Sequence, residues 1–479
     1  MASNVENLIR GAVTKGIVKV ADFNRKRLPR PTDAHPFLTG IHKPMTEEFT
    51  LEALRVDGEI PAGLTGRYLR NGPNPAAQPD PASYHWFTGA GMVHGIRIEG
   101  GKADWYRNRW VRGTEACAVL GEALPPGPRE TSDAPNTNVV GIAGRTFAIV
   151  EAGGKPVELG YELSTIAHNP FDGTLTGSYT AHPHEDPATG DLHAVTYKGD
   201  EPNKVWHVVI DKDAHVVREE AVAVSDGPSI HDCAITANYV LVFDLPVTFS
   251  MKMLLGGYRF PYAWNDAHPA RIGLLPRNGR GDEIVWVPVE PCYVFHPANA
   301  HETADGKVIV DVVAHETMFA TSKRGPDSEK SRMERWTIDP AAGTTTRAVI
   351  HDHAQEFPRY DERLTTQPYR YIYSVAIPEA EDAEWQLAET QLFRHDLEKG
   401  VTDAHDFGPG RHPGEFVFVP RSESGAENDG WLIGLVVNMN DETTDLVILN
   451  ADDFTGSPQA VVHLPHRVPP GFHGNWVAD

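Results

Sequence analysis

From Leu54 to the end of the chain, short strand-like stretches follow one another, each closed by a turn, and long helical periodicity is scarce. Met92–Ile98, Thr146–Val150, Val205–Ile210, Tyr239–Phe243, Lys307–His315 and Trp431–Val437 are examples, and several alternate as half-buried strands do. The 43 glycines and 38 prolines are spread along the chain rather than gathered in a linker. Many short strands joined by tight turns require that distribution. A chain of 479 residues is too long for one small barrel. No crisp repeat of about 40–50 residues emerges from its letters, so the reading is an all-β propeller whose repeat lies in structure. Residues 36–479 read as one such domain, preceded by an N-terminal amphipathic segment and linker over 1–35.

The net charge of −23 argues against nucleic-acid binding through a general basic field. Cys117, Cys233 and Cys292 are odd in number, widely separated and without CxxC spacing. They provide neither a disulfide framework nor a thiolate metal site, and they point to a reducing, cytoplasmic setting. The N-terminus lacks the apolar run of a signal peptide, and no stretch of about 20 apolar residues is present.

Residues 3–27 stand apart. Val5, Leu8, Ile9, Val13, Ile17 and Val20 recur at helical spacing, with Arg10, Lys15, Lys19, Arg25, Lys26 and Arg27 supplying positive charge. Such a helix lies on a membrane surface or packs on its own protein, and the sequence supports both readings equally. Residues 28–44 read as proline-rich and extended. Residues 249–264 lack strand alternation and read as a buried lid or as an exposed apolar patch at a tunnel mouth. Ala116–Pro128 reads as a loop.

Four histidines sit where strand-like segments meet turns: His182, His231, His296 and His473. They are separated by 49, 65 and 177 residues. With a blade of roughly 60 residues, those intervals are about one, one and three blades, so the rings would converge on the axis. Imidazoles suit iron, copper, nickel and zinc alike. His473 lies in Pro469-Pro470-Gly471-Phe472-His473-Gly474-Asn475-Trp476, almost at the C-terminus. Two prolines stiffen the approach, and glycines on either side permit close backbone contact. Glu151, Glu356 and Glu415 sit in unusually apolar surroundings. A buried carboxylate needs a partner, and the outer N–H of a metal-bound imidazole would serve.

Several stretches together resemble the carotenoid cleavage oxygenases over residues 36–479. They are Gly66–Pro75 (GRYLRNGPNP), Trp86–His94 (WFTGAGMVH), Tyr106–Arg112, Ala181–Pro187 (AHPHEDP), Ile230–Pro246, Phe295-His296, Glu356–Arg359 (EFPR), Pro413–Val419 and Val468–Trp476. The resemblance implies a seven-bladed β-propeller with one Fe(II) on its axis and a helical or loop cap over one face. It implies His182, His231, His296 and His473 as ligands, with Glu151, Glu356 and Glu415 behind them. His184 becomes a neighbour, and Thr137 matches a threonine that crowds an open iron position in some members.

The implied chemistry is oxidative cleavage of a C=C bond by O2 into two carbonyl products, without a second cofactor. An apolar conjugated substrate would arrive through a tunnel for which Val150, Phe87, Tyr258 and Phe260 are candidate walls. Members that cleave hydroxylated stilbenes resemble one another in a lysine at the position of Val150. Its absence tilts the expectation towards carotenoids or apocarotenoids, with stilbenes and lignin-derived phenylpropanoids as the alternative. Thr88 and Ala90 replace two acidic residues of the family pattern. A retinyl-ester isomerohydrolase would need insertions that are absent, and a non-catalytic propeller would have lost some of the seven residues. Peripheral membrane contact, if any, would come through residues 3–27 and 249–264.

Overall fold

A computed structural model describes residues 16–130, 133–328, 330–378 and 389–479. Seven antiparallel sheets of four or five strands form the blades of a β-propeller. In chain order their main strands occupy residues 66–110, 138–168, 184–223, 233–288, 293–351, 355–406 and 411–464. Inner strands such as Gly430–Asn438 are buried at every position, whereas the outer strands Val216–Ala223 and Thr344–His351 are half exposed.

The apolar core is a ring of layers between blades. Leu69, Val93, Val139 and Ala148 fill the layer between blades one and two, and Phe147, Ile149, Ala194 and Val208 the next. Ile433 and Leu446 of blade seven meet Tyr68 and Ile96 of blade one. The axis itself is left to polar groups.

Both chain ends close the ring. Val56–Gly58 adds an outer strand to blade seven, and Gly474–Ala478 adds the innermost strand to blade one. Asn71 locks the second joint. Its backbone N–H donates to the His473 carbonyl at 3.0 Å and its carbonyl accepts from Phe472 N at 3.0 Å. Its side-chain amide donates to the carbonyls of Pro135 and Asn138. Gly72 and Gly471 meet backbone to backbone here, and a Cβ on Gly471 would stand 2.6 Å from the Asn71 oxygen.

Blade four carries the insertion at residues 249–264. Val247–Phe249 and Tyr262–Trp264 pair as a ribbon with a helix over Met251–Gly256 between them. The Ser250 hydroxyl caps its start, and Gly257, at φ 96°, ends it in the left-handed region. Residues 16–25 are helical and lie on this lid. Asn24 Nδ2 donates to the Leu255 carbonyl at 2.7 Å and Arg25 Nε to that of Gly257 at 2.9 Å. Of the amphipathic segment, residues 3–15 fall outside the described residues. Two expectations are corrected. Thr114–Leu120 is an α-helix that takes up the first part of the supposed loop 116–128, ended by Gly121 at φ 68°, and residues 28–44 contain two 3-10 turns, Pro36–Leu38 and Gly40–His42.

The closure predicts the behaviour of one substitution. Gly471→Ala should lower stability by about 1–3 kcal/mol through overpacking and should weaken metal uptake by displacing His473. Thermal melting and a metal titration together test this; a variant that melts and loads like the parent would refute the constraint.

Candidate metal centre

Each blade brings a group to the axis from its innermost strand or the turn before it. Blade two brings Thr137, blade three His182, blade four His231 and blade five His296. Blades six and seven bring Glu356 and Glu415, and blade one brings His473. Glu151 follows the second strand of blade two. The intervals read from the sequence are therefore one, one and three blades, as the strand positions have them.

Three inner strands are bulged at these residues. Register shifts fall between Val294 and Pro297, between Glu356 and Arg359, and between Pro413 and Phe416. A bulge bends a strand and re-aims a side chain. Phe357, at φ 56°, sits in the left-handed region within the second of them.

His182, His231, His296 and His473 are all buried, and one ring nitrogen from each lies within 4.8 Å of the other three. His231 Nε2 stands 3.0 Å from His182 Nε2 and 3.1 Å from His296 Nε2. Outside this ring, His231 Nδ1 donates to Glu151 at 2.8 Å, His296 Nδ1 to Glu356 at 2.6 Å and His473 Nδ1 to Glu415 at 3.1 Å. Those bonds fix the tautomer, so the Nε2 lone pairs face one another. Burial pushes His182 well below the ordinary imidazole value, which keeps its ring neutral. For His473 burial also prevails over Glu415, whereas for His231 the opposing charge of Glu151 outweighs burial and raises the pKa.

Converging lone pairs in a buried site call for a cation. Two nitrogens bound at right angles, each about 2.1 Å from a metal, would be about 3.0 Å apart, whereas tetrahedral ligands would be about 3.4 Å apart. The spacing of 3.0 and 3.1 Å is what two such pairs around one ion would show. An all-imidazole set of this kind fits iron.

The carboxylates are braced in turn. Glu356 is 1 % exposed and accepts from His315 Nε2 at 2.6 Å and from Phe357 N at 2.8 Å. Burial opposes its charge, but His296 and His315 outweigh burial and hold its pKa well below the carboxylate range. Glu415 is 3 % exposed and is held at about 2, where burial is outweighed by Arg359 and His473. Arg359 reaches it at 3.4 Å. His315 and Arg359 were not singled out in the sequence, although Arg359 ends the EFPR motif and His315 closes the apolar strand Val308–His315.

A cavity of about 1430 Å³ runs from His231, His296 and His473 out to the lid and to helix 16–25. Val150, Phe87, Tyr258, Phe260 and Thr137 all lie on its wall, as do Thr88 and Ala90. Phe295 packs edge-on against His231 at 5.1 Å, and Phe357 lies 5.3 Å from His473 and 5.4 Å from His296. The Thr137 hydroxyl donates to Asn136 at 3.0 Å, and its carbonyl accepts the His473 N–H at 3.1 Å. His182 borders a second, polar cavity of about 110 Å³ instead.

The family model described as Retinal pigment epithelial membrane protein matches residues 42–478. A carotenoid cleavage oxygenase of Mycobacterium tuberculosis is 42% identical, with 92% of this chain and 97% of that protein covered. The chain belongs to the carotenoid cleavage oxygenase family. Among solved structures, the lignostilbene dioxygenase of Pseudomonas brassicacearum is similar with a TM-score of 0.84 and 26% identity, covering 94% of this chain and all of that one. Cobalt-substituted Synechocystis ACO gives a TM-score of 0.81 and 28% identity, covering 91% and 97%. As a member of this family the chain is an oxygenase, and its family is iron-dependent.

Glu356→Gln should weaken metal binding by about 10–100-fold, because one of two buried imidazole N–H groups then loses its acceptor. A competition titration against a chromogenic chelator reads this directly, and unchanged affinity would remove Glu356 from the site.

Proposed function

We propose that this chain is an Fe(II)-dependent dioxygenase that cleaves one C=C bond of an apocarotenoid or carotenoid. The observation that carries the substrate class is the cavity, which is larger than the usual range of about 300–1000 Å³ for small-ligand sites and walled mainly, though not wholly, by apolar groups. Val150, Phe87, Tyr258 and Phe260 contact the polyene in this reading.

His182, His231, His296 and His473 would hold the iron, and bound iron supplies the centre at which dioxygen is activated. Glu151, Glu356 and Glu415 keep the Nδ1 protons of three ligands away from the metal and hold the rings in place. Phe295 and Phe357 limit rotation of the same rings and exclude water from the axis. Thr137 narrows the approach beside His473. The C=C bond and O2 yield two carbonyl groups, one oxygen atom in each, so no external electron or proton is consumed. The likeness to a lignostilbene dioxygenase supports the second reading, cleavage of a stilbene or phenylpropanoid by the same chemistry. The Glu151 Oε2 atom on that wall is buried without a hydrogen-bond partner among the described residues and could accept from a phenol.

Side-by-side aerobic incubation of Fe(II)-loaded protein with an apocarotenal and a hydroxystilbene, followed by LC–MS, tests both. Shortened polyene aldehydes from the first alone are the expected result. Benzaldehydes from the second alone would overturn the polyene reading.

The cavity mouth supports peripheral membrane contact. Helices 16–25, Thr114–Leu120 and Met251–Gly256 each line it through Val18, Thr114 and Met251. Val18, Val20 and Phe23 are 50, 46 and 56 % exposed, and Val119, Leu124 and Met251 are exposed as well. Lys19, Lys26 and Lys252 add charge suited to anionic lipid. Among the described residues no helix is long and apolar enough to cross a membrane. Val20→Ser with Phe23→Ser should reduce co-sedimentation with anionic vesicles while leaving turnover of detergent-dispersed substrate intact. Equal sedimentation of variant and parent would assign these side chains another role.

A further inference from the structure

Three of the four axial imidazoles have a glutamate on their outer nitrogen, and the fourth does not. The outer nitrogen of His182 points instead towards Asp232, with Nδ1 3.7 Å from Oδ2. We infer that Asp232 is the fourth carboxylate of the centre and the positioning residue for His182. The inference rests on the reading of the four histidines as metal ligands.

Asp232 is 4 % exposed, and a carboxylate so buried needs partners. Its Oδ1 atom accepts from His184 Nε2 at 2.7 Å and from Cys233 N at 2.6 Å. Both bonds fall on one oxygen. They leave Oδ2 directed at the His182 ring, across the edge of the polar cavity that both residues line. The arrangement parallels that of Glu356, which lies on blade six behind a ligand of blade five. Asp232 opens blade four behind a ligand of blade three. His184 plays towards Asp232 the part that His315 plays towards Glu356, a second imidazole pinning the carboxylate.

The difference lies in reach. An aspartate is one methylene shorter than a glutamate, and 3.7 Å exceeds hydrogen-bonding distance. A small swing of the His182 ring or one bridging water closes the gap, and a water-mediated bond is nearly as favourable as a direct one. His182 is then the least firmly oriented of the four ligands. Its orientation depends on Asp232, and that of Asp232 on His184.

The test uses full-length protein loaded with Fe(II), and separately with Co(II) as an optical probe. Asp232→Asn should speed Fe(II) loss to a chelator about tenfold and change the Co(II) ligand-field spectrum. His184→Gln, which leaves Asp232 in place but loosens it, should give a smaller change in the same direction. Asp232→Glu should restore slow release. Melting of the metal-free proteins separates these effects from loss of fold, because a merely structural role would lower melting without altering the Co(II) spectrum of the folded fraction. Parent-like release and spectra in both Asp232→Asn and His184→Gln would overturn the inference alone. A parent protein that takes up neither metal would overturn the metal reading together with it.

Discussion

Everything at the axis depends on burying carboxylates against imidazole N–H groups. A carboxylate such as Glu356, almost fully enclosed, is tolerated only with partners of the right charge and direction. Here those partners are the outer nitrogens of histidines whose inner nitrogens converge within 4.8 Å of one another. The same bonds therefore stabilise the buried charges and select the tautomer that presents lone pairs to a cation. Loss of a carboxylate would leave a buried N–H unsatisfied as well as a ligand free to turn. Orientation of the ligands and integrity of the axis are one set of interactions.

The propeller makes this possible because its core lies elsewhere. Apolar layers fill the spaces between blades, so inner strands can present polar groups at the centre without interrupting the hydrophobic packing. Bulges at His296, Glu356 and Glu415 supply the local turn that a regular strand would deny. The ring must also close accurately, since His473 is delivered by the last strand and lies beside the joint held by Asn71. Chain closure and ligand placement are thus coupled through the contact of Gly72 with Gly471.

Much of this was legible in the letters. Alternating strands and dispersed turns indicated an all-β ring, and the intervals between histidines counted blades before any blade was seen. Less legible were features that depend on distant partners. Asp232 follows His231 directly, yet its contacts are with His182 and His184 of another blade. His315 looked like the end of a strand because Glu356, its acceptor, is 41 residues away. The helix at Thr114–Leu120 was missed although Gly121 offers a left-handed stop, because seven residues amid prolines give barely two turns of periodicity. Phe357 carries no mark in sequence of its positive φ.

The metal centre does not by itself select a substrate, since a polyene and a stilbene present the same kind of electron-rich double bond. Selection has to arise along the cavity, where shape and the position of polar groups differ between the two. Val150, Ala90 and the aromatic rings of Phe87 and Phe260 make most of the inner wall apolar, with the Glu151 carboxylate beside them. Charged side chains, among them Arg25, Lys198, Asp200 and Arg259, border the same cavity alongside the lid and helix 16–25. A long substrate with one polar end can place its apolar chain against the inner wall and leave that end among these groups. A short diphenol fills less of the cavity and would need a polar contact near the histidines, for which Glu151 Oε2 is the acceptor in view. In the polyene reading, the distance from these charged groups to the axis would set which double bond is presented.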